Sequence, residues 1–298
     1  MSQFDSSILN RKMLNEATET TGFSLKEETL KHLFEDWKNI QDRVRVAENL
    51  FLFLDFDGTL TPILSRPELA ICPPEIKRVL EELRDLPKVH LTIISGRSLE
   101  DLRKKVGVSD IIYVGNHGLE IEKPDGGHKK VVSSARARDL KRITQNVRNS
   151  LKEVPGIFLE EKGPILSVHY RNVPQKFFDR IPQVLKEELR QWRHRWKMAS
   201  GKMVFEIQPN VDFHKGQALR EILKSFPSPG LLSIYLGDDQ TDEDAFRVLK
   251  GRGISVFIGP GTLPSEADFF LRDPGEVQEF LFRCREVRRA RNHYPGAI

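Results

Sequence analysis

Two aspartates, Asp55 and Asp57, end the apolar run "FLFLDFDGTLTPI" from Phe51 to Ile63. On an ideal strand both would point to one face, and Gly58 with Thr59 turns the backbone directly afterwards. Carboxylates this close repel, and they stay ionised together only with a cation between them. A second acidic group, Asp238 and Asp239 with Asp242 and Asp244 close behind, ends another apolar run, "LLSIYLGDDQTDED". Oxygen-only ligands at this density suit Mg²⁺, which takes one or two carboxylates, keeps several waters and meets substrate phosphate. The same segment also reads as an ordinary helix start, with Thr241 as N-cap and Asp244 in the first turn. The two readings are compatible, because a helix N-terminus aimed at a phosphate serves the same region. Ser95, followed by Gly96, ends "VHLTIIS" and lets backbone N–H groups approach an oxyanion, although Ser-Gly is also a common turn. Lys215 in "DFHKGQAL" precedes a helix, where a cation neutralises a phosphoryl group; a lone lysine there is more often solvated.

These residues need a frame that brings distant strand ends together. From Asn49 onward, short apolar runs without polar alternation ("NLFLFLDF", "VHLTIISGR", "IIYVGNHG") alternate with amphipathic stretches ("PEIKRVLEELRDL", "SLEDLRKKV"). Runs buried on both faces and separated by helices predict a doubly wound, Rossmann-like parallel α/β sheet. In such a sheet ligands sit beyond the carboxyl ends of the strands, where "LDFDGTL", "IISGR", "VGNHG" and "LGDDQTDED" all fall. The middle of the chain breaks the rhythm. A hairpin turns at Pro124–Gly127, a helix spans about Ala135 to Val154, and a second hairpin turns at Lys162-Gly163-Pro164. A helix over about Gln175–Arg193 and a strand pair turning at Ser200-Gly201 follow. The expected organisation is a helical N-terminal extension over 1–48, a core over 49–117 and 210–298, and an inserted α+β cap over 118–209.

The 298 residues are 39% hydrophobic and 30% charged, a globular composition with room for a sizeable core. A net charge of +4 is too small to imply nucleic acid. The basic excess in "FRCREVRRARNHY", Phe282 to Tyr294, reads as a solvated helix end. Two cysteines, Cys72 and Cys284, build no disulfide framework and fit a reducing cytoplasm. No signal segment opens the chain, and no apolar stretch reaches the ~18 residues of a membrane span. No GxGxxG follows the first core strand, which disfavours a dinucleotide-binding enzyme.

The ordered set Asp55–Thr59 (DxDGT), Ser95, Lys215 and Gly237–Asp242 (GDDxTD) resembles the four motifs of the haloacid dehalogenase superfamily of phosphohydrolases. In detail, "LDFDGTLTPI", "SGR", "GNHGLEI", "GKMVFEI", "HKGQAL" and "GDDQTDEDAF" resemble the trehalose-6-phosphate phosphatase family over about Asn49 to Phe282. The resemblance implies a core with a C2-type cap and hydrolysis of trehalose 6-phosphate through an aspartyl phosphate. Asp55 would be the nucleophile and Asp57 the acid and base. Mg²⁺ would be bound by Asp55, the Asp57 carbonyl and Asp238, with Asp239 and Asp242 behind them or as alternates. Ser95 and Lys215 would hold phosphoryl oxygens, with Thr59 positioning Asp57 or the phosphate. From the cap, Lys202 and Glu206 of the GKxxxE motif would bind sugar hydroxyls, on one face of a strand because they are four apart. Asn116, His117 and Glu120 would be sugar or loop contacts, His169 either a sugar contact or a cross-strand packing residue, and Arg171 a further candidate. Arg97 would meet substrate or pair with nearby acids; His194 and His214 are read as structural. Two alternatives stay open: a phosphatase of mannosylglycerate, sucrose or glucosylglycerol phosphate, and a non-catalytic phosphosugar-binding regulatory domain. A functional link to a trehalose-phosphate synthase is also implied.

Overall fold

The computed structural model describes residues 30–201, 203–226 and 230–293. The chain passes strand β1 (Lys31–His32), helix α1 (Trp37–Val46), β2 (Asn49–Asp55), α2 (Pro74–Arg84), β3 (Val89–Ile94), α3 (Leu99–Val106) and β4 (Ile112–Gly115). A hairpin of β5 (Glu120–Glu122) and β6 (His128–Lys130) follows, then α4 (Ser134–Ser150), β7 (Phe158–Lys162), β8 (Ile165–His169), α5 (Arg180–Leu189), β9 (Trp196–Gly201) and β10 (Val204–Pro209). The path closes with α6 (Lys215–Lys224), β11 (Leu231–Gly237), α7 (Glu243–Leu249), β12 (Ile254–Ile258), β13 (Phe269–Leu271) and α8 (Pro274–His293).

Among the described residues, nine strands form one sheet in the order β1-β13-β12-β11-β2-β3-β4-β5-β6, and β7-β8-β10-β9 form a second. The large sheet is parallel from β1 to β4. Alternation along β2 decides its two faces. Leu50, Leu52 and Leu54 join the apolar cluster that holds α1, α2, α3 and α8, while Phe51 and Phe53 join the cluster with α6 and α7. Asp55 continues the Phe51–Phe53 parity and so faces α6. Chain order reverses between β2 and β11, the kind of switch point that opens a crevice at the strand ends. Local signals agree with the helices. The Ser98 side chain caps α3 by accepting from the Asp101 amide at 3.3 Å, with acids in its first turn and bases in its last.

Three expectations shift. The described part of 1–48 is more than a helical extension: β1 extends the sheet edge, and Leu33, Ile40 and Val44 are fully buried in the main core. The hairpin at Pro124–Gly127 forms, but β5 pairs antiparallel with β4 and extends the core sheet, because β4 otherwise leaves a row of backbone groups unpaired. The cap's own sheet therefore begins at β7. In the last strand pair β9 continues through Gly201 and the turn carries Met203 at φ 63°, two residues later than expected.

The basic C-terminal stretch also differs from a solvated end. Arg288 is buried on α8, and its guanidinium donates to the carbonyl oxygens of Ala47 at 2.7 Å and Val44 at 3.3 Å at the end of α1. Burial lowers its pKa to about 10, so it stays charged against the negative end of that helix. No described helix is long and apolar enough to cross a membrane.

Candidate active site

Asp55 is 4% exposed, and its Oδ1 accepts a hydrogen bond of 2.7 Å from Lys215 Nζ at the start of α6. The same ammonium donates to Asp242 Oδ1 at 2.8 Å and lies 3.8 Å from Asp239. Asp242 organises the loop after β11. Its Oδ1 also accepts from the Tyr235 hydroxyl at 2.7 Å, and its Oδ2 accepts from the amides of Asp238 and Asp239, each at 3.1 Å. Burial opposes the charge on Lys215, but Asp55, Asp242 and Asp239 outweigh it and raise the lysine's pKa, so it remains an ammonium.

Oxygens of Asp55, Asp238 and Asp242 all lie within 4.8 Å of one another. Three carboxylates thus face one buried ammonium. Burial first, and then repulsion from neighbouring aspartates, raises Asp55 well above the carboxylate range and Asp238 to about 7. A deficit of positive charge in an all-oxygen cluster is what a divalent cation relieves, so the residues fit one. Both Asp242 oxygens are engaged, which leaves Asp55 and Asp238 as the freer carboxylates of the three. The close approach depends on Gly58: at φ +86°, a Cβ there would lie 2.0 Å from Asp238 Oδ2. The Gly58 amide closes a turn onto the Thr61 carbonyl at 2.7 Å, and the Thr59 hydroxyl donates to Asp238 at 3.4 Å, not to Asp57.

Asp57 stands apart from that cluster. Both its oxygens accept from Arg97 at 2.6 Å, and Arg97 also donates to Asp101 at 2.9 Å and to the Pro67 carbonyl at 2.7 Å. Arg97 thus pairs with nearby acids, one of the two roles expected for it. Ser95 is 2% exposed, and its hydroxyl accepts from the Arg97 amide at 3.2 Å.

Beyond β4, Asn116 and His117 both adopt left-handed backbone, at φ 52° and 56°. Each such residue costs about 1–3 kcal/mol, a strain that concentrates at functional sites. Their amides donate to Arg97 O at 2.7 Å and Ser95 O at 3.0 Å, which fastens this bend to the Ser95 loop. Burial first, then the Lys215 charge, lowers the His117 pKa and keeps the ring neutral.

Core and cap meet over a cavity of about 310 Å³ lined by Asp55, Asp57, Ser95, Arg97, His117 and Lys215 from the core, with Lys162 and Glu206 from the cap. Glu206 accepts from the Ser167 hydroxyl at 3.3 Å. Asn116 and Glu120, expected as sugar or loop contacts, do not line this cavity; the Asn116 side-chain amide donates to Glu120 Oε2 at 2.7 Å beneath the cap. His169 takes the cross-strand alternative, with Nε2 2.9 Å from Glu160 Oε2 and the ring beside Phe158. Arg171 reaches the Ser65 carbonyl at 3.2 Å. Lys202 lies outside the described residues. The sequence reading missed two residues. Tyr235 hides among the other apolar residues of β11, and only its place two before Gly237 puts it on the Asp55 face. Lys162 sits in a turn signal that carries no chemical signature of its own.

A buried aspartate paired with a buried lysine at the switch point of a doubly wound sheet, roofed by an inserted α+β module, is an arrangement suited to a phosphatase. Residues 53–275 match the family model described as trehalose-phosphatase, and the chain belongs to that family. "Trehalose-phosphate phosphatase B" of Arabidopsis thaliana is 35% identical over 257 residues, covering 82% of this chain and 68% of that protein. "Trehalose-phosphate phosphatase" of Mycobacterium tuberculosis (strain H37Rv) is 36% identical over 254 residues, covering 82% and 64%. The solved C-terminal domain of Candida albicans trehalose-6-phosphate phosphatase shares the fold, with a TM-score of 0.68 at 23% identity over 86% of this chain and 98% of that one.

Proposed function

We propose that the chain hydrolyses trehalose 6-phosphate to trehalose and phosphate, with Mg²⁺ bound at Asp55 and Asp238. The observation that supports it best is the shared cavity, where the Asp55–Lys215 pair faces Lys162 and Glu206 of the cap across about 310 Å³. That arrangement offers a phosphoryl site below and hydrogen-bonding groups for a polyol above. The likeness to plant and mycobacterial proteins named trehalose-phosphate phosphatase supports the choice of sugar.

In this reading Lys215 and the Ser95 loop bind the phosphoryl oxygens, and an Asp55 oxygen attacks phosphorus in line with the departing sugar. The Asp55–phosphorus bond forms as the bond to the sugar oxygen breaks, and that oxygen takes a proton from Asp57. Asp57 then removes a proton from water, whose oxygen attacks the aspartyl phosphate and restores the Asp55 carboxylate. The cation supplies neutralising charge to the phosphoryl group. Because Arg97 holds both Asp57 oxygens, the acid step requires Arg97 to release at least one of them. The cap excludes water and orients the sugar through Glu206 and Lys162, with Lys202 assigned the same role from its motif.

An enzyme of this kind consumes what a trehalose-phosphate synthase makes, and the two buried, unpaired thiols suit the reducing cytoplasm where we place it. The test is phosphate release over a panel of sugar phosphates with and without Mg²⁺. Preference for sucrose or mannosylglycerate phosphate would move the substrate assignment; no release from any ester would favour a binding domain.

A further inference from the structure

The turn between β7 and β8 approaches the core at Gly163. Gly163 has φ +59°, and a Cβ built on it would lie 3.1 Å from Glu120 Oε2 and 3.3 Å from Asn116 Nδ2. These two core side chains are joined by their 2.7 Å hydrogen bond, and Glu120 Oε1 lies 3.5 Å from Lys130 Nζ on β6. Asn116 is fully buried and Glu120 is 8% exposed, and neither lines the catalytic cavity. The residue before Gly163 in the turn, Lys162, does line it.

Several features of the pair run against stability. Asn116 and His117 are both left-handed, and buried Asn116 Oδ1 and His117 Nδ1 have no hydrogen-bond partner among the described residues. A fold keeps such a combination where position matters more than stability. Position is what the site transmits. The backbone amides of Asn116 and His117 are tied to Arg97 O and Ser95 O, so the surface under the cap turn is bonded directly to the phosphate loop.

We propose that Asn116 and Glu120 form a seat for the cap turn at Gly163, and that this seat positions Lys162 over the phosphoryl site. They are positioning residues for the sugar phosphate, acting through the turn and not by touching substrate. The inference rests on the sugar phosphatase reading, whose substrate must be gripped by core and cap together. A misplacement of about 1 Å costs such a site on the order of a hundredfold. A small ester that needs only the core floor is spared.

The test compares KM and kcat for trehalose 6-phosphate and for p-nitrophenyl phosphate in the full chain with Mg²⁺. Gly163→Asn keeps the left-handed backbone within reach of its residue type while placing a side chain against the seat. It is expected to raise KM for the sugar phosphate on the order of tenfold and to leave hydrolysis of the small ester within about twofold. Glu120→Ala is expected to raise the same KM, whereas Glu120→Gln, which still accepts from Asn116, restores it. Hydrogen exchange over Phe158–His169 gives a readout independent of substrate: in Gly163→Asn these amides exchange faster while β2 and β11 do not change. Equal losses on both esters, or unchanged KM with unchanged exchange in this hairpin, overturn the seat. A wild-type chain that hydrolyses the small ester and ignores trehalose 6-phosphate overturns the functional reading instead, and the exchange measurement then decides the seat alone.

Discussion

The floor of the site and the cap above it hold their polar groups in different ways. On the floor, Asp55, Lys215 and Asp242 are buried, and their bonds run from 2.7 to 2.8 Å. In the cap, Glu206 is half-buried with one 3.3 Å bond from Ser167, and Lys162 lies 3.4 Å from Glu160. Short bonds between buried groups preorganise the floor, which is what electrostatic stabilisation of a transition state needs. The cap keeps hydrogen-bonding capacity free, which in the proposed function is available to the sugar. Chemistry and specificity are thus divided between a rigid buried region and a more open one.

The division breaks most severely at Asp55. Asp55→Asn keeps the shape of the side chain but removes the nucleophile, so turnover should fall on the order of 10⁴-fold or more for every ester. The variant should still bind trehalose 6-phosphate in calorimetry, because the cap is untouched. Measurable turnover with an unchanged pH profile would place the nucleophile elsewhere.

Glu206→Ala should do the reverse. Leaving a sugar hydroxyl unpaired in a closed site costs about 1–3 kcal/mol, or roughly fivefold to 150-fold in kcat/KM. The loss should appear with trehalose 6-phosphate and vanish with p-nitrophenyl phosphate. Matching losses on both would make Glu206 part of the catalytic floor and erase the contrast.

The same contrast governs what the sequence made legible. Asp55 and Asp57, the Ser95 turn and the Asp238–Asp242 loop are contiguous motifs at the ends of apolar strands, so their meeting on the floor is legible in spacing, while their separate roles come from what the family resemblance implies. The cap contacts come from separate segments, and which side of a small antiparallel sheet meets the core depends on tertiary packing. Lys162 therefore carries no signal in the sequence, and Glu120, open there to a sugar or a loop contact, lies in the folded chain under the cap turn. The hairpin at 120–130 was placed with the wrong sheet for a related reason: its turn chemistry specifies a hairpin but not the edge it will join. Asp57 was legible as a residue, but its capture by Arg97 was named only as one of two options, since an arginine reaches many acids from one position.

The cation sharpens the comparison through pH. The folded pKa of Asp238 is raised to about 7 by burial and by Asp242 and Asp239, and Asp55 is raised as well, against an ordinary aspartate at ~3.9 when unfolded. Between those values the folded chain binds more protons than the unfolded one, so this contribution is present at low pH and is lost as pH rises through about 7. A divalent cation needs these carboxylates ionised and therefore stabilises more as pH rises. The stabilisation by Mg²⁺, read as a rise in melting temperature, should be small at pH 5 and larger at pH 8, where it approaches about 2.7 kcal/mol at a hundred times Kd. An equal gain at both values would mean that the ion binds away from this cluster.

The smallest expected effect asks whether floor and cap are separate cooperative units. Ile207 in β10 and Ile234 in β11 are both fully buried in strands with a neighbour on each side, but they belong to different apolar clusters. Trimming either to valine removes one methylene and should cost about 0.5–1.5 kcal/mol. If the cap opens as its own unit, Ile207→Val should speed hydrogen exchange in β7–β10 and leave β2 and β3 unchanged, because local opening draws only on the contacts of the unit that opens. Ile234→Val should act on the large sheet, and on the cap only through global unfolding. If both substitutions accelerate exchange equally in the two sheets, cap and floor melt together, and the division of labour is one of chemistry without a matching division in stability.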